Sequence, residues 1–183
     1  MINNTILIIG LGNPGKQYEH SPHNAGFAVV DTLVVGMRNK ELGIKEKKEK
    51  LAEVWEGTLE NIPVILAKPT TFMNKSGTAV QILTSNFQLP TSHVWLVHDD
   101  IDLPLGTLRI VQNRGAAGHK GVQSAIDALG TKNFVRFRVG VRPPDMPEKR
   151  SQKLMNSFVT KPYTPAEKKM FEVWKNFYHQ RKN

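Results

Sequence analysis

The chain has 183 residues with 25 basic and 16 acidic side chains, a formal charge of +9, which suits one domain with a proper core and favours a polyanionic partner such as nucleic acid, with a generally basic soluble protein as the alternative. It has no cysteine, so disulfides, thiol catalysis and Cys-ligated zinc are excluded. No basic segment precedes a signal-type apolar core, and no apolar run approaches the roughly 18 residues of a membrane span, so a soluble cytoplasmic chain is expected.

Residues 6–9 are four apolar residues in a row, followed by Gly10-Leu11-Gly12-Asn13-Pro14-Gly15. This predicts a buried strand ending in a tight loop. The letters satisfy G-x-G-x-x-G, but a dinucleotide site needs the loop to open directly into a helix, with an acidic residue about 20 positions further on. Residues 16–21 carry no apolar period, Pro22 disfavours helix in the residue before it, and the region 38–50 is a polar run. What the loop does place beyond a strand end, where open α/β sheets put their chemistry, is an amide (Asn13), a phenol (Tyr18) and an imidazole (His23).

Phe27, Val29, Val30, Leu33, Val34 and Met37 recur at near-helical spacing, predicting a helix over about 24–37 with His23 at its N-terminal end. A helix N-terminus disfavours a cationic imidazole, which keeps such a histidine ready to accept a proton; a histidine that merely caps or packs there is the bland alternative. Residues 40–50 read as a solvated connection. Residues 51–59 and 62–67 read as two strands joined by a short turn at Glu60-Asn61. Pro69 then opens a loop through Phe72, Asn74 and Gly77 before a helix marked by Val80, Ile82, Leu83 and Phe87. Asn74 is a second amide at a strand-to-helix junction, though it or Ser76 would also serve as an N-cap.

Residues 94–97 read as a short strand ending in a turn that carries Asp99, Asp100 and Asp102. Such carboxylates could bind a divalent cation, orient a histidine or cap the turn; orienting ranks above metal binding if a histidine lies close, because converging oxygens repel one another when empty. A strand over 107–111 leads to the glycine-rich stretch with Arg114 and Lys120, then a helix over 122–129. Lys120 is followed by Gly121, so this is no Walker A loop, but it suits a phosphate or sugar edge. The strand 134–141 puts Arg136 and Arg138 on one face, a phosphate grip or ordinary surface. Beyond Arg142 the chain reads as loop and basic stretch. A capping box at Thr164-Pro165-Ala166-Glu167 then starts a terminal helix, about 164–181, with an aromatic stripe that faces the core or forms a flap, and a basic tail over 175–182.

Taken in order, GLGNPG with PHNAG, PTTFMNKSG, HDDIDLPLG, and GAAGHKG followed by FVRFRVGVR resemble the bacterial peptidyl-tRNA hydrolases from Ile6 to about Val159. The resemblance implies a single α/β domain, residues 1–183, with a twisted mixed β-sheet flanked by helices. It implies cleavage of the ester between a peptide and the 3′ ribose of tRNA, without metal or cofactor, by a cytoplasmic monomer. By position it makes His23 the catalytic base, Asp99 the carboxylate that orients it, and Asn13 the amide that tells a peptide bond from a free α-amino group. It places Tyr18, Phe72, Asn74 and Lys120 along the substrate, and Arg138 on the tRNA backbone with Arg109 and Arg114 nearby. Two departures stand out: Lys120 where the family usually has Asn, and Pro22 where it usually has Arg. Val111 also falls where a lysine is expected. A non-catalytic RNA-binding relative of the same fold is the alternative, against which the joint presence of His23, Asp99, Asn13 and Asn74 argues.

Overall fold

A computed structural model describes residues 4–147 and 151–165. In chain order the elements are β1 (Ile6–Gly10), α1 (Ala25–Asn39), β2 (Lys45–Glu49), β3 (Ala52–Leu59), β4 (Ile62–Pro69), α2 (Ser76–Asn86), β5 (Val94–Pro104), β6 (Leu108–Gln112), α3 (Lys120–Leu129), β7 (Val135–Arg142) and α4 (Gln152–Thr160). The seven strands form one mixed sheet in the order β2-β3-β4-β1-β5-β7-β6. Its centre, β4-β1-β5-β7, is parallel, while β2, β3 and β6 join antiparallel at the two edges.

The period of two in β1 divides the core between two layers. Leu7 and Ile9 face the side that holds Val80 and Leu83 of α2 and Val122 and Ala125 of α3, and Ile8 faces the side that holds Val30, Val34 and Met37 of α1. Parallel strands buried on both faces read as continuous apolar runs, which is why β1 and β4 are visible in the sequence. They also send their C-terminal ends to one edge, so the loops after β1, β4 and β5 gather there.

Two glycines set how closely α1 approaches that edge. A Cβ on Gly26 would lie 2.4 Å from both the Leu11 nitrogen and the Val97 oxygen, and one on Gly10 would lie 2.2 Å from the Gly26 oxygen. The glycines at the start of the loop therefore let the helix sit on the strands rather than cradle a phosphate. They bring the short 3₁₀ turn Pro22–Asn24, which carries His23 into α1, down onto the strand ends.

Five expectations need correction. Residues 45–49 are not a solvated connection but the edge strand β2, whose KEKKE sequence is what a protected edge looks like. The strand begun at Val94 does not end at Val97; it runs to Pro104 with a register shift between Asp100 and Pro104, so Asp99, Asp100 and Asp102 lie on the strand. Neither Asn74 nor Ser76 caps α2, which has no side-chain cap; Asn74 is exposed in the 3₁₀ turn Met73–Lys75. Arg136 is not surface: it is 2% exposed and donates to the Gly115 carbonyl oxygen at 3.0 Å, tying down the glycine-rich loop. Within the stretch read as loop and basic residues, α4 is a helix capped by Ser151, whose hydroxyl accepts from Leu154 N–H. The terminal helix expected from residue 164 lies, beyond Pro165, outside the described residues. No helix among those described is long and apolar enough to cross a membrane.

Candidate active site

A cavity of about 1100 Å³ opens where the strand ends meet, lined by the loops after β1 and β4, the C-terminal half of β5, the glycine-rich loop, the β6-β7 surface and α4. Asn13, Tyr18, His23, Phe72, Asn74, Asp99, Arg109, Arg114, Lys120 and Arg138 all line it, so residues from five separate stretches converge on one space.

At its centre the His23 Nδ1 lies 2.9 and 3.0 Å from the two Asp99 carboxylate oxygens, 76 residues away in the chain. Asp99 is 2% exposed. A second imidazole, His119, places its Nε2 2.9 Å from Asp99 Oδ1, while its Nδ1 accepts from the Val122 backbone N–H at 3.2 Å. A backbone N–H can only donate, so Nδ1 of His119 carries no proton, and Nε2–H is the atom that donates to Asp99. His119 is thus both N-cap of α3 and a neutral donor to the carboxylate. Burial pushes the Asp99 carboxyl up, but attraction to His23 and His119 and their hydrogen bonds outweigh it and hold it well below the usual carboxylate range.

His98 forms the wall behind this pair. Its Nδ1 donates to the Asp99 carbonyl oxygen at 2.7 Å, and its ring stands edge-on to His119 with centroids 4.7 Å apart. Burial is the main cause that lowers its pKa to about 3, so it stays neutral. The neighbouring carboxylates do different work: Asp100 pairs with Arg138 and accepts from Asp102 N–H at 2.9 Å, while Asp102 itself is exposed.

His23, Asp99 and His119 form the one group among the described residues with three potential metal-ligand atoms within 4.8 Å of one another. The donor chemistry does not fit a cation there. A metal would need the Nε2 lone pair of His119, and that atom carries the proton because Nδ1 is occupied by Val122 N–H.

Around this centre, the backbone of Asn13 is held by the Asn24 side chain, and the Asn13 Oδ1 accepts from Met73 N–H at 2.8 Å. Tyr18 and Phe72 meet edge to face at 6.4 Å, and Phe72 is 52% exposed. Arg109 lies opposite Arg138 in the β6-β7 register and is exposed, as are Arg114 and Lys120, the first residue of α3. Val111 lies opposite Arg136, so buried Arg136 occupies the row where a basic β6 residue was expected.

Sequence reasoning missed His98, His119, Asn24 and the α4 residues Met155, Asn156, Val159 and Thr160. His119 carried a signal, a second histidine immediately before Lys120 in a third strand-end loop; α4 carried Ser151 ahead of Leu154, Met155, Phe158 and Val159 at helical spacing.

Residues 7–181 match the family model described as Peptidyl-tRNA hydrolase. The peptidyl-tRNA hydrolase of Rhodococcus opacus is 41% identical over 174 residues, 94% of this chain and 87% of that protein. That of Thermodesulfovibrio yellowstonii is 47% identical over 139 residues, covering 74% of this chain and 71% of its own length. The crystal structure of the Acinetobacter baumannii peptidyl-tRNA hydrolase superposes with a TM-score of 0.81 at 28% identity, over 96% of this chain and 85% of that one. With matches of this extent, the chain belongs to the peptidyl-tRNA hydrolase family.

Proposed function

We infer that the protein hydrolyses the ester between a peptide and the 3′ ribose of tRNA, releasing peptide and free tRNA, with His23 as general base. The observation that carries this is the His23–Asp99 pair, at 2.9 and 3.0 Å, opening on a cavity with a basic side. Asp99 takes the Nδ1 proton of His23 as a hydrogen bond and so leaves the Nε2 lone pair for water. Water gives a proton to Nε2 as its oxygen attacks the ester carbonyl; the imidazolium is balanced by Asp99. The tetrahedral intermediate then expels the 3′ oxygen of the ribose, which takes the proton from Nε2, and the base is restored. His119 and His98, both neutral, shield the carboxylate without competing for that proton.

Asn13 offers substrate a donor: with its oxygen held by Met73 N–H, the amide NH₂ is what remains. A blocked aminoacyl group presents a peptide carbonyl to it; a free α-ammonium presents only donors and is rejected. Tyr18, Phe72 and Asn74 accommodate the peptide and the 3′ end. Arg109, Arg114 and Arg138 meet the tRNA backbone, with Arg138 exchanging Asp100 for phosphate. Lys120 has donors only, and holds the 3′-terminal phosphate or steadies the developing oxyanion where the family's Asn would also accept. The chain acts as a cytoplasmic monomer and uses no metal. The rival, a catalytically silent RNA binder, has no use for a base held by a buried carboxylate.

The test is hydrolysis of N-acetyl-aminoacyl-tRNA and of the same tRNA with a free α-amino group by wild type in chelator-treated buffer. Cleavage of the blocked substrate alone is expected. Binding of tRNA with cleavage of neither substrate would establish the RNA-binding reading instead, and activity restored only by added metal would overturn the water-activation step.

A further inference from the structure

Asn24 occupies the N-cap position of α1, where an Asn side chain normally accepts from a backbone N–H of its own helix, yet it makes no such bond. Its amide is turned across to the first loop instead. Oδ1 accepts from Asn13 N–H at 2.8 Å and Nδ2 donates to the Asn13 carbonyl at 3.1 Å, so one side chain pairs both main-chain groups of one residue, as a neighbouring strand would. These partners fix which end of the Asn24 amide is which, because the N–H must meet oxygen and the C=O must meet NH₂. The side chain of Asn13 is fixed in the same way from the other side, its Oδ1 accepting from Met73 N–H at 2.8 Å. The Asn13 NH₂ has no hydrogen-bond partner among the described residues, and Asn13 lines the cavity.

Two consecutive residues of the turn Pro22–Asn24 therefore serve two different parts of the site: His23 faces Asp99, and Asn24 grips the loop that carries Asn13. We propose that Asn24 is the positioning residue for substrate discrimination, clamping the Asn13 backbone so that the Asn13 NH₂ meets the carbonyl of a blocked aminoacyl group. This rests on Asn13 being the discriminating amide. Losing the clamp frees the first loop to rotate that NH₂ away, and a free α-ammonium is then no longer at a disadvantage. The His23–Asp99 contact is separate from the clamp and survives its loss.

The experiment compares kcat/KM on N-acetyl-aminoacyl-tRNA and on aminoacyl-tRNA for wild type, Asn13→Ala, Asn24→Ala and Asn24→Asp, with the pH dependence of kcat on the blocked substrate. Asn24→Asp is isosteric, keeps the acceptor for Asn13 N–H and replaces the donor by an oxygen facing the Asn13 carbonyl, so it tests the clamp even where Asn24→Ala folds poorly. The blocked-to-free preference should fall about tenfold in both Asn24 variants, the loss of one or two net hydrogen bonds, while the pH midpoint stays at the wild-type position. If Asn13→Ala loses the preference and both Asn24 variants keep it, the clamp is refuted and the reading of Asn13 survives. If Asn13→Ala itself keeps the preference, the reading of Asn13 fails and takes the clamp with it. A shift of the pH midpoint in Asn24→Asp with the preference intact means that Asn24 acts on His23 instead, and also overturns the proposal.

Discussion

Asp99 is the most heavily committed side chain in the site, receiving His23 on both oxygens and His119 on one while it is 2% exposed. A buried carboxylate with charge-assisted hydrogen bonds loses about 1.5–3 kcal/mol per donor removed. His119→Ala should therefore lower kcat by about tenfold or more, through a less firmly held Asp99, with tRNA affinity nearly unchanged. Equal losses in kcat and affinity would assign His119 to binding instead. His98 makes a separate prediction. Its proton affinity is lower in the folded protein, about 3 against an ordinary value near 6.5, so the unfolded chain binds one more proton than the folded one between those limits. Stability then falls as pH drops from about 6.5 toward 3, by up to roughly 1.4 kcal/mol per pH unit from this group. Urea unfolding between pH 7 and pH 4 should show a slope smaller by about one proton in His98→Asn; an unchanged slope would mean that His98 is not neutral in the fold. Asp99 adds to the acid limb further down, since a carboxylate held below its usual range stabilises above about pH 4 and loses that contribution on further acidification.

The secondary-structure elements differ in how openly their residues announce them. The apolar runs of β1 and β4 are legible because parallel strands are covered on both faces, and α1 is legible because one stripe of it is buried. The strand β2 is not legible, since five charged residues, four of them exposed, satisfy no alternation; what makes it a strand is its partner, paired from Lys45↔Glu56 to Glu49↔Ala52. The carboxylates of β5 looked like a turn because Pro104 and Gly106 are near, and only the pairing with β7 carries the strand past them. The glycine at the start of α1 is the element-level test of how His23 is delivered. Gly26→Ala places a methyl 2.4 Å from two backbone atoms that have no side chain to move aside. It should destabilise the fold by about 1–3 kcal/mol or more and lower activity with it; a variant with wild-type thermal midpoint and activity would show that α1 is not seated by that contact.

Across the molecule, the positive charge is not evenly useful. Arg109, Arg114, Arg138 and Lys120 reach the cavity, whereas Arg136 is buried against the glycine-rich loop and contributes structure. If Lys120 holds a phosphate, Lys120→Asn should weaken tRNA binding and flatten the plot of log affinity against log salt by roughly 0.7–1; a change in kcat with no change in salt dependence would assign the ammonium to the oxyanion. The site residues themselves were legible one by one as chemistry-bearing side chains after strand ends, but their convergence follows from the parallel centre of the sheet, which no single stretch encodes. The tautomer of His119 and the grip of Asn24 depend on hydrogen bonds to particular backbone groups, Val122 N–H and the main chain of Asn13, which the residue types alone do not announce. On the proposed reading one imidazole, His23, does the chemistry. Single-turnover cleavage of N-acetyl-aminoacyl-tRNA by His23→Ala, with tRNA affinity measured on the same preparation, tests that directly. A loss of about a hundredfold or more with affinity intact is the expected result, and a variant that binds and still cleaves at the wild-type rate would contradict it.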